Sequence, residues 1–432
     1  MNEIAQELND RIKKENPHVY ELLSDLGRNM YYPKGILTQT AEAKQKAHRF
    51  DATIGIATEG NQPMFLPVIH NTLSEYDPKN LYPYAPPAGK PELRQLWRKK
   101  MLHENPSLKD KSFSNPIVTN ALTHGLSIVA DLFMNENDPL VLPEKLWGNY
   151  NLIFGVRRGA KNVTFPFYNE QGAFNVQGLK KALLSKKEHG KAVVLLNFPN
   201  NPTGYTPSEK EATNIIEVLK EVAQEGMNLV VLTDDAYFGL FYEDSIKESL
   251  FARIANIHPR ILAIKVDGAT KEDFVWGFRV GFITFASESP AVLDALENKA
   301  LGSIRGAISS ASHPAQSFVL NALQSSEFQV QRDQKVELLK RRATKVKEIL
   351  SQGSYNDAWD YYPFNSGYFM CMKLKHGVNA EALRLHLLDH YGIGVISLGE
   401  SDVRVAFSCV EVQDLKQLFD LIYQGFQDLK GQ

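Results

Sequence analysis

The stretch Ala192-Val193-Val194-Leu195-Leu196-Asn197-Phe198-Pro199-Asn200-Asn201-Pro202-Thr203-Gly204 decides how the rest of the chain reads. An apolar run without polar alternation is what a strand buried on both faces of a parallel sheet looks like. The two prolines that follow fix φ and remove backbone donors, and the glycine permits a left-handed turn. Such a stiff loop can hold the Asn201 amide against a ligand. The competing reading is an ordinary turn, since NP and TG are common turn dipeptides.

Outward from this point the same rhythm recurs. Apolar runs stand at Pro116–Thr119, Pro139–Leu142, Val163–Phe165, Leu229–Asp234, Ile261–Val266 and Val280–Phe285. Helical-period segments separate several of them, such as Ser208–Glu225 with Glu209 and Glu211 in its first turn. Strands interleaved with helices predict an α/β fold with a mostly parallel central sheet. A chain of 432 residues exceeds the roughly 250–300 at which single domains stop growing. The expected division is a large domain over 66–334 and a smaller α/β domain built from 1–65 and 335–432. Residues 1–50 read as helical but irregular, broken at Pro17 and at the Tyr31-Tyr32-Pro33-Lys34-Gly35 turn. Beyond 290 the pattern is long and helical, including Gln316–Ser351.

A net charge of -2 without blocks of like charge leaves no electrostatic footprint for nucleic acid or an anionic membrane. No window approaches the ~20 apolar residues that cross a bilayer. Cys371 and Cys409 are the only cysteines, too few for a disulfide scaffold. These features, with a polar N-terminus, predict a cytoplasmic enzyme. The eleven histidines show no tight metal-ligand spacing, so no metal is expected.

Open α/β sheets bind ligands beyond the carboxyl ends of their strands. Four exits carry polar groups: Thr119-Asn120, Asn197 to Gly204, Asp234 to Tyr237, and Thr270-Lys271. A carboxylate at a buried strand end such as Asp234 needs a cation, for which a protonated ring nitrogen would serve; the bland reading is a solvated loop carboxylate. Lys271, in Asp267-Gly268-Ala269-Thr270-Lys271, follows a strand beside small residues. A desolvated pocket would lower its pKa and make a nucleophilic amine, although a lone lysine is usually on the surface. Arg279 offers a fork suited to phosphate.

In this order and spacing the pieces resemble the fold-type I, class I/II aminotransferases that use pyridoxal 5'-phosphate, with a pattern closest to the aspartate aminotransferases. The resemblance runs from about Ile54 to Arg404. It implies that Lys271 carries the cofactor as a Schiff base, that Asp234 meets the pyridine nitrogen, and that Asn201 and Tyr237 reach the phenolic oxygen. It also implies phosphate contacts from Arg279, from Thr270 and from the helix opening at Ala121-Leu122-Thr123, with Trp147 stacked on the ring. Arg404 matches the arginine that grips the substrate α-carboxylate, Arg305 the one that reads a distal carboxylate, and Gly55 a glycine against the substrate. Tyr84 resembles the tyrosine that reaches a neighbouring subunit's phosphate, which implies a homodimer with shared sites.

Two positions depart from the pattern. The family usually has glycine where Ala121 stands, and close relatives have a phosphate-binding serine at the position of Gly268. Thr270 and Asp267 are the candidates to reshape that corner. The expected reaction is a ping-pong transfer of an amino group from an aspartate-like or aromatic amino acid to a 2-oxo acid such as 2-oxoglutarate. Rival readings are a lyase or decarboxylase of the same fold, a catalytically silent protein of that fold, and a nucleotide-binding α/β enzyme.

Overall fold

The computed structural model describes residues 2–23, 25–30, 36–60 and 62–430. All seven apolar runs are strands of one sheet: β1 (Ile117–Asn120), β2 (Pro139–Pro143), β3 (Lys161–Phe165), β4 (Lys191–Asn197), β5 (Asn228–Asp234), β6 (Ile261–Asp267) and β7 (Val280–Ala286). Their order is β1-β7-β6-β5-β4-β2-β3. Pairs from β6 across to β3 are parallel, whereas β7 runs antiparallel to both β6 and β1. Strands β4 to β7 are buried almost throughout. With both faces covered by helices there is no wet face to impose alternation, so their sequences read as continuous apolar runs.

The register sets the site. Asn197 pairs with Asp234, and Asp234 with Val266, so the ends of β4, β5 and β6 lie side by side. Because β7 is reversed, its first residue, Val280, pairs with Asn120 at the end of β1 on the same edge.

The helix after β4, α1 (Glu209–Gln224), is opened by Ser208 and Glu211 in a reciprocal capping box, as its sequence predicts. The helical region beyond 290 corrects one expectation. Gln316–Ser351 is not one helix: α2 (His313–Gln324) ends at Ser325, which is extended, and α3 (Phe328–Ser351) begins three residues later. The Ser325 hydroxyl accepts the Glu327 N–H, the local serine bond that competes with helix continuation.

The C-terminal part forms an antiparallel sheet of β8 (Trp359–Tyr361), β9 (Phe369–Leu374), β10 (Ile396–Leu398) and β11 (Asp402–Ala406), ordered β8-β9-β11-β10. The N-terminal segment joins it: Phe50–Asp51 pairs in parallel with Ile393–Gly394, and Glu42 meets Arg384 at 2.7 Å. Residues 3–46 include helices Glu3–Glu15, Pro17–Leu22, Asp25–Asn29 and Ile36–Lys46. Pro17 opens the second of these, where its missing N–H is harmless. The Tyr31–Gly35 turn lies outside the described residues.

Candidate active site

A cavity of about 310 Å³ opens at the carboxyl edge of the large sheet, within the size range of small-molecule sites. The structure brings twelve of the expected residues to its wall: Gly55, Ala121, Leu122, Thr123, Trp147, Asn201, Asp234, Tyr237, Thr270, Lys271, Arg279 and Arg404. Two others are elsewhere. Tyr84 is 93% exposed, and Arg305, exposed near the end of helix Pro290–Ala307, donates to the Ser309 hydroxyl.

Asp234 ends β5 and is buried. Its Oδ2 accepts the Tyr150 hydroxyl at 2.6 Å, while Oδ1 has no partner. Burial raises its pKa, and the Tyr150 bond and the Lys271 charge oppose the rise. Lys271 lies in the single helical turn Ala269–Glu272, where its carbonyl accepts the Tyr368 hydroxyl at 2.9 Å. Its ammonium sits 5.0 Å from the Tyr237 ring centre. Burial pulls its pKa down to about 8; Asp234 resists and Arg279 adds to the fall.

Arg404 is buried in β11. Its Nη1 donates to Asn201 Oδ1 at 2.9 Å and Nη2 to the Thr53 carbonyl at 2.7 Å, leaving Nε without a partner. The guanidinium packs 4.1 Å from the Phe369 ring centre. Neutral acceptors therefore orient this charge, and no carboxylate among the described residues neutralises it. Asn201 is fixed in turn, with its N–H on Asn197 Oδ1 at 2.9 Å. Gly204 closes that loop at φ +73°, where a Cβ would come within 2.1 Å of the Phe369 carbonyl.

The corner expected to hold a phosphate explains both departures. Helix α4 (Ala121–Phe133) opens at Ala121, whose φ of 60° is left-handed. Its N–H donates to the Arg279 carbonyl at 2.8 Å, and its carbonyl accepts Thr119 Oγ1 at 2.9 Å. A left-handed residue is normally glycine, which accounts for the family's preference there. At Gly268 a Cβ would lie 2.6 Å from the Val280 carbonyl and 2.7 Å from Gly281 Cα. No serine fits between β6 and β7 as they pack here. Asp267 does not fill the gap: its carboxylate pairs with Lys265 at 3.0 Å and accepts Trp97 Nε1 at 3.1 Å, away from the cavity wall. Thr270 does line the cavity, and its buried hydroxyl has no partner.

Sequence reasoning assigned no role to Tyr150, Tyr368, Trp276, Ile54 or Ile56. Tyr150, Trp276 and the two isoleucines line the cavity, and the Tyr368 hydroxyl holds the Lys271 carbonyl. Tyr150 and Tyr368 act through partners 84 and 97 residues distant in the chain, so no local spacing marks them. Among the described residues no group of three or more His, Cys, Asp or Glu is placed to hold a metal ion, and no helix is long and apolar enough to cross a membrane.

Comparison with known proteins gives this geometry a family. A probable aspartate/prephenate aminotransferase of Aquifex aeolicus is 26% identical over 321 residues, 72% of this chain and 76% of that protein. An aspartate aminotransferase of Musicola paradisiaca is 31% identical over 202 residues, 46% of this chain and 47% of that one. The crystal structure of an aminotransferase from Anaerococcus prevotii superposes with a TM-score of 0.82 at 21% identity, covering 95% of this chain and all of that one, which shows the shared fold. The sequence model of the family described as aminotransferase class I and II matches residues 54–422. The chain belongs to the class I and II aminotransferases and is an amino-acid aminotransferase.

Proposed function

We propose that the chain transfers the amino group of an aspartate-like or aromatic amino acid to a 2-oxo acid such as 2-oxoglutarate by a ping-pong mechanism, using pyridoxal 5'-phosphate held in the cavity. The observation that carries this is a set of buried polar atoms on cavity-lining residues that find no partner among the described residues: Asp234 Oδ1, Thr270 Oγ1 and Arg404 Nε, with Trp276 Nε1 beside them. Buried polar groups are normally satisfied, and the first three match a ring N–H, a phosphate and a carboxylate. The family uses this cofactor, and the donor set fits it.

Asp234, the acceptor that Tyr150 leaves free, would hold the proton on the ring nitrogen. Asn201 and Tyr237 would donate to the phenolic oxygen, and Trp147 would cover a ring face. Arg279, the Thr270 hydroxyl and the first amides of α4 would hold the phosphate, where a helix N-terminus favours negative charge. When bound, the cofactor supplies a protonated ring that accepts the electron pair left at the substrate Cα. Arg404 would grip the α-carboxylate bidentately, with Gly55 beside the substrate, and so present the Cα–H to Lys271. The Lys271 amine, lowered to about 8, would take that proton as general base and return it as general acid.

Tyr84 and Arg305 enter this reading through a second copy of the chain. Both are exposed, as side chains that reach a neighbour's cavity across a homodimer would have to be. The division into a large domain over 66–334 and a small one from 1–65 and 335–432 is supported by the pairing of Phe50–Asp51 with Ile393–Gly394. A cytoplasmic location is supported by the two free cysteines, one buried and one half-buried. A screen of the loaded protein against the twenty amino acids, measuring 2-oxo acid formed per cofactor, tests the function. One equivalent from an acidic or aromatic amino acid is expected; no 2-oxo acid from any would overturn it.

A further inference from the structure

Directly behind Lys271 the chain continues as Glu272 and Asp273, both carboxylates and both buried. Desolvated carboxylates are costly unless paired, and one guanidinium serves both. Arg332, on α3 and 6% exposed, donates from Nε to the Glu272 carbonyl at 3.2 Å. The same nitrogen lies 3.5 Å from Asp273 Oδ1, and Nη2 lies 3.8 Å from Glu272 Oε2. Lys100 closes the other side, 2.9 Å from Glu272 Oε1.

A second feature ties Arg332 to the loop that follows β5. Gly239, two residues beyond Tyr237, has φ +82°, and a Cβ there would meet Arg332 Nη2 at 2.2 Å. The loop carrying Asp234 and Tyr237 is therefore moulded against the same guanidinium that holds the Lys271 turn.

We propose that Arg332 is a positioning residue for the active site: it fixes the turn of Lys271 against the loop of Asp234 and Tyr237 without touching substrate or cofactor. The planar fork is what the geometry uses, since one rigid group reaches a carbonyl, two carboxylates and a glycine face at once. A lysine would keep the charge but not that span. The proposal rests on Lys271 being the cofactor-bearing lysine.

The test compares wild type, Arg332→Lys and Gly239→Ala, each loaded with pyridoxal phosphate. Three quantities are read: the rate of borohydride trapping at Lys271 by peptide mass spectrometry, the pH at which the visible band changes, and amide hydrogen exchange over residues 269–275. Displacing a reactive group by about 1 Å costs roughly 100-fold, so trapping in Arg332→Lys should slow by roughly tenfold or more. The band's pH midpoint should move and residues 269–275 should exchange faster, with Gly239→Ala changing in the same direction. A folded Arg332→Lys with wild-type trapping, midpoint and exchange overturns the proposal. If Arg332→Lys does not fold, Gly239→Ala decides by the same readings, and if neither folds the residue is purely structural and the proposal fails. Absence of trapping at Lys271 in wild type would instead overturn the functional reading on which it rests.

Discussion

The Tyr150 hydroxyl donates to Asp234 Oδ2 at 2.6 Å, while Oδ1 of the same carboxylate has no partner among the described residues. Burial raises the Asp234 pKa and the Tyr150 bond counters it, so the tyrosine both aims the carboxylate and favours its charged form. Tyr150→Phe removes the donor and keeps the ring against Trp147, 5.5 Å away in an edge contact. A hydrogen bond to a charged group contributes about 1.5–3 kcal/mol, so pyridoxal phosphate affinity should fall about 10- to 100-fold. Fluorescence titration of the apo-protein measures it; unchanged affinity would show that Tyr150 only fills space.

Lys271 gives a prediction whose sign follows from its pKa. The ordinary lysine value is 10.5 and burial lowers it to about 8. Between those values the unfolded chain holds the proton and the folded chain does not. Apo-protein stability should therefore rise as pH climbs through this window, and the penalty is fully present below about 8. Lys271→Met should unfold at higher urea than wild type at pH 7, with the gap closing by pH 11. A gap that stays constant across that range would contradict the buried ammonium. The same variant, loaded with cofactor, should yield no borohydride-trapped peptide.

The two departures at Ala121 and Gly268 should respond oppositely to being reversed. Ala121 sits at φ 60°, a conformation that costs a side chain roughly 1–2 kcal/mol. Part of any gain is lost to the entropy of an added glycine, so Ala121→Gly should stabilise by about 0.5–1 kcal/mol. Gly268→Ser places a Cβ 2.6 Å from the Val280 carbonyl and should destabilise by about 1–3 kcal/mol. Urea midpoints of the apo-proteins check both signs.

Arg305 is exposed and held by Ser309 on its own chain. If it reads a distal carboxylate across a dimer, Arg305→Ala should lower kcat/KM for aspartate about tenfold or more and leave alanine unchanged. Equal loss for both amino acids would remove it as a selector. Sedimentation of the wild type should return twice the 48.6 kDa chain mass.

What the sequence determined by itself was whatever is encoded locally. The buried strands β4 to β7 announced themselves as apolar runs, and the Ser208 cap with Glu211 marked the start of α1. The strand exits carrying Asn201, Asp234, Tyr237 and Lys271 follow from the same patterns, because ligand groups gather where parallel strands end. Tertiary structure alone decided how those groups are held. Tyr150 aims Asp234, Tyr368 and Arg332 pin the Lys271 turn, and Asn201 with the Thr53 carbonyl orients Arg404. Each is a contact between segments far apart in the chain, set by the side-by-side register of β4, β5 and β6 and by the reversal of β7. The closeness of β6 to β7 likewise excludes a serine at Gly268. Spacing along a chain carries no record of such distances, because packing fixes them only when the layers close.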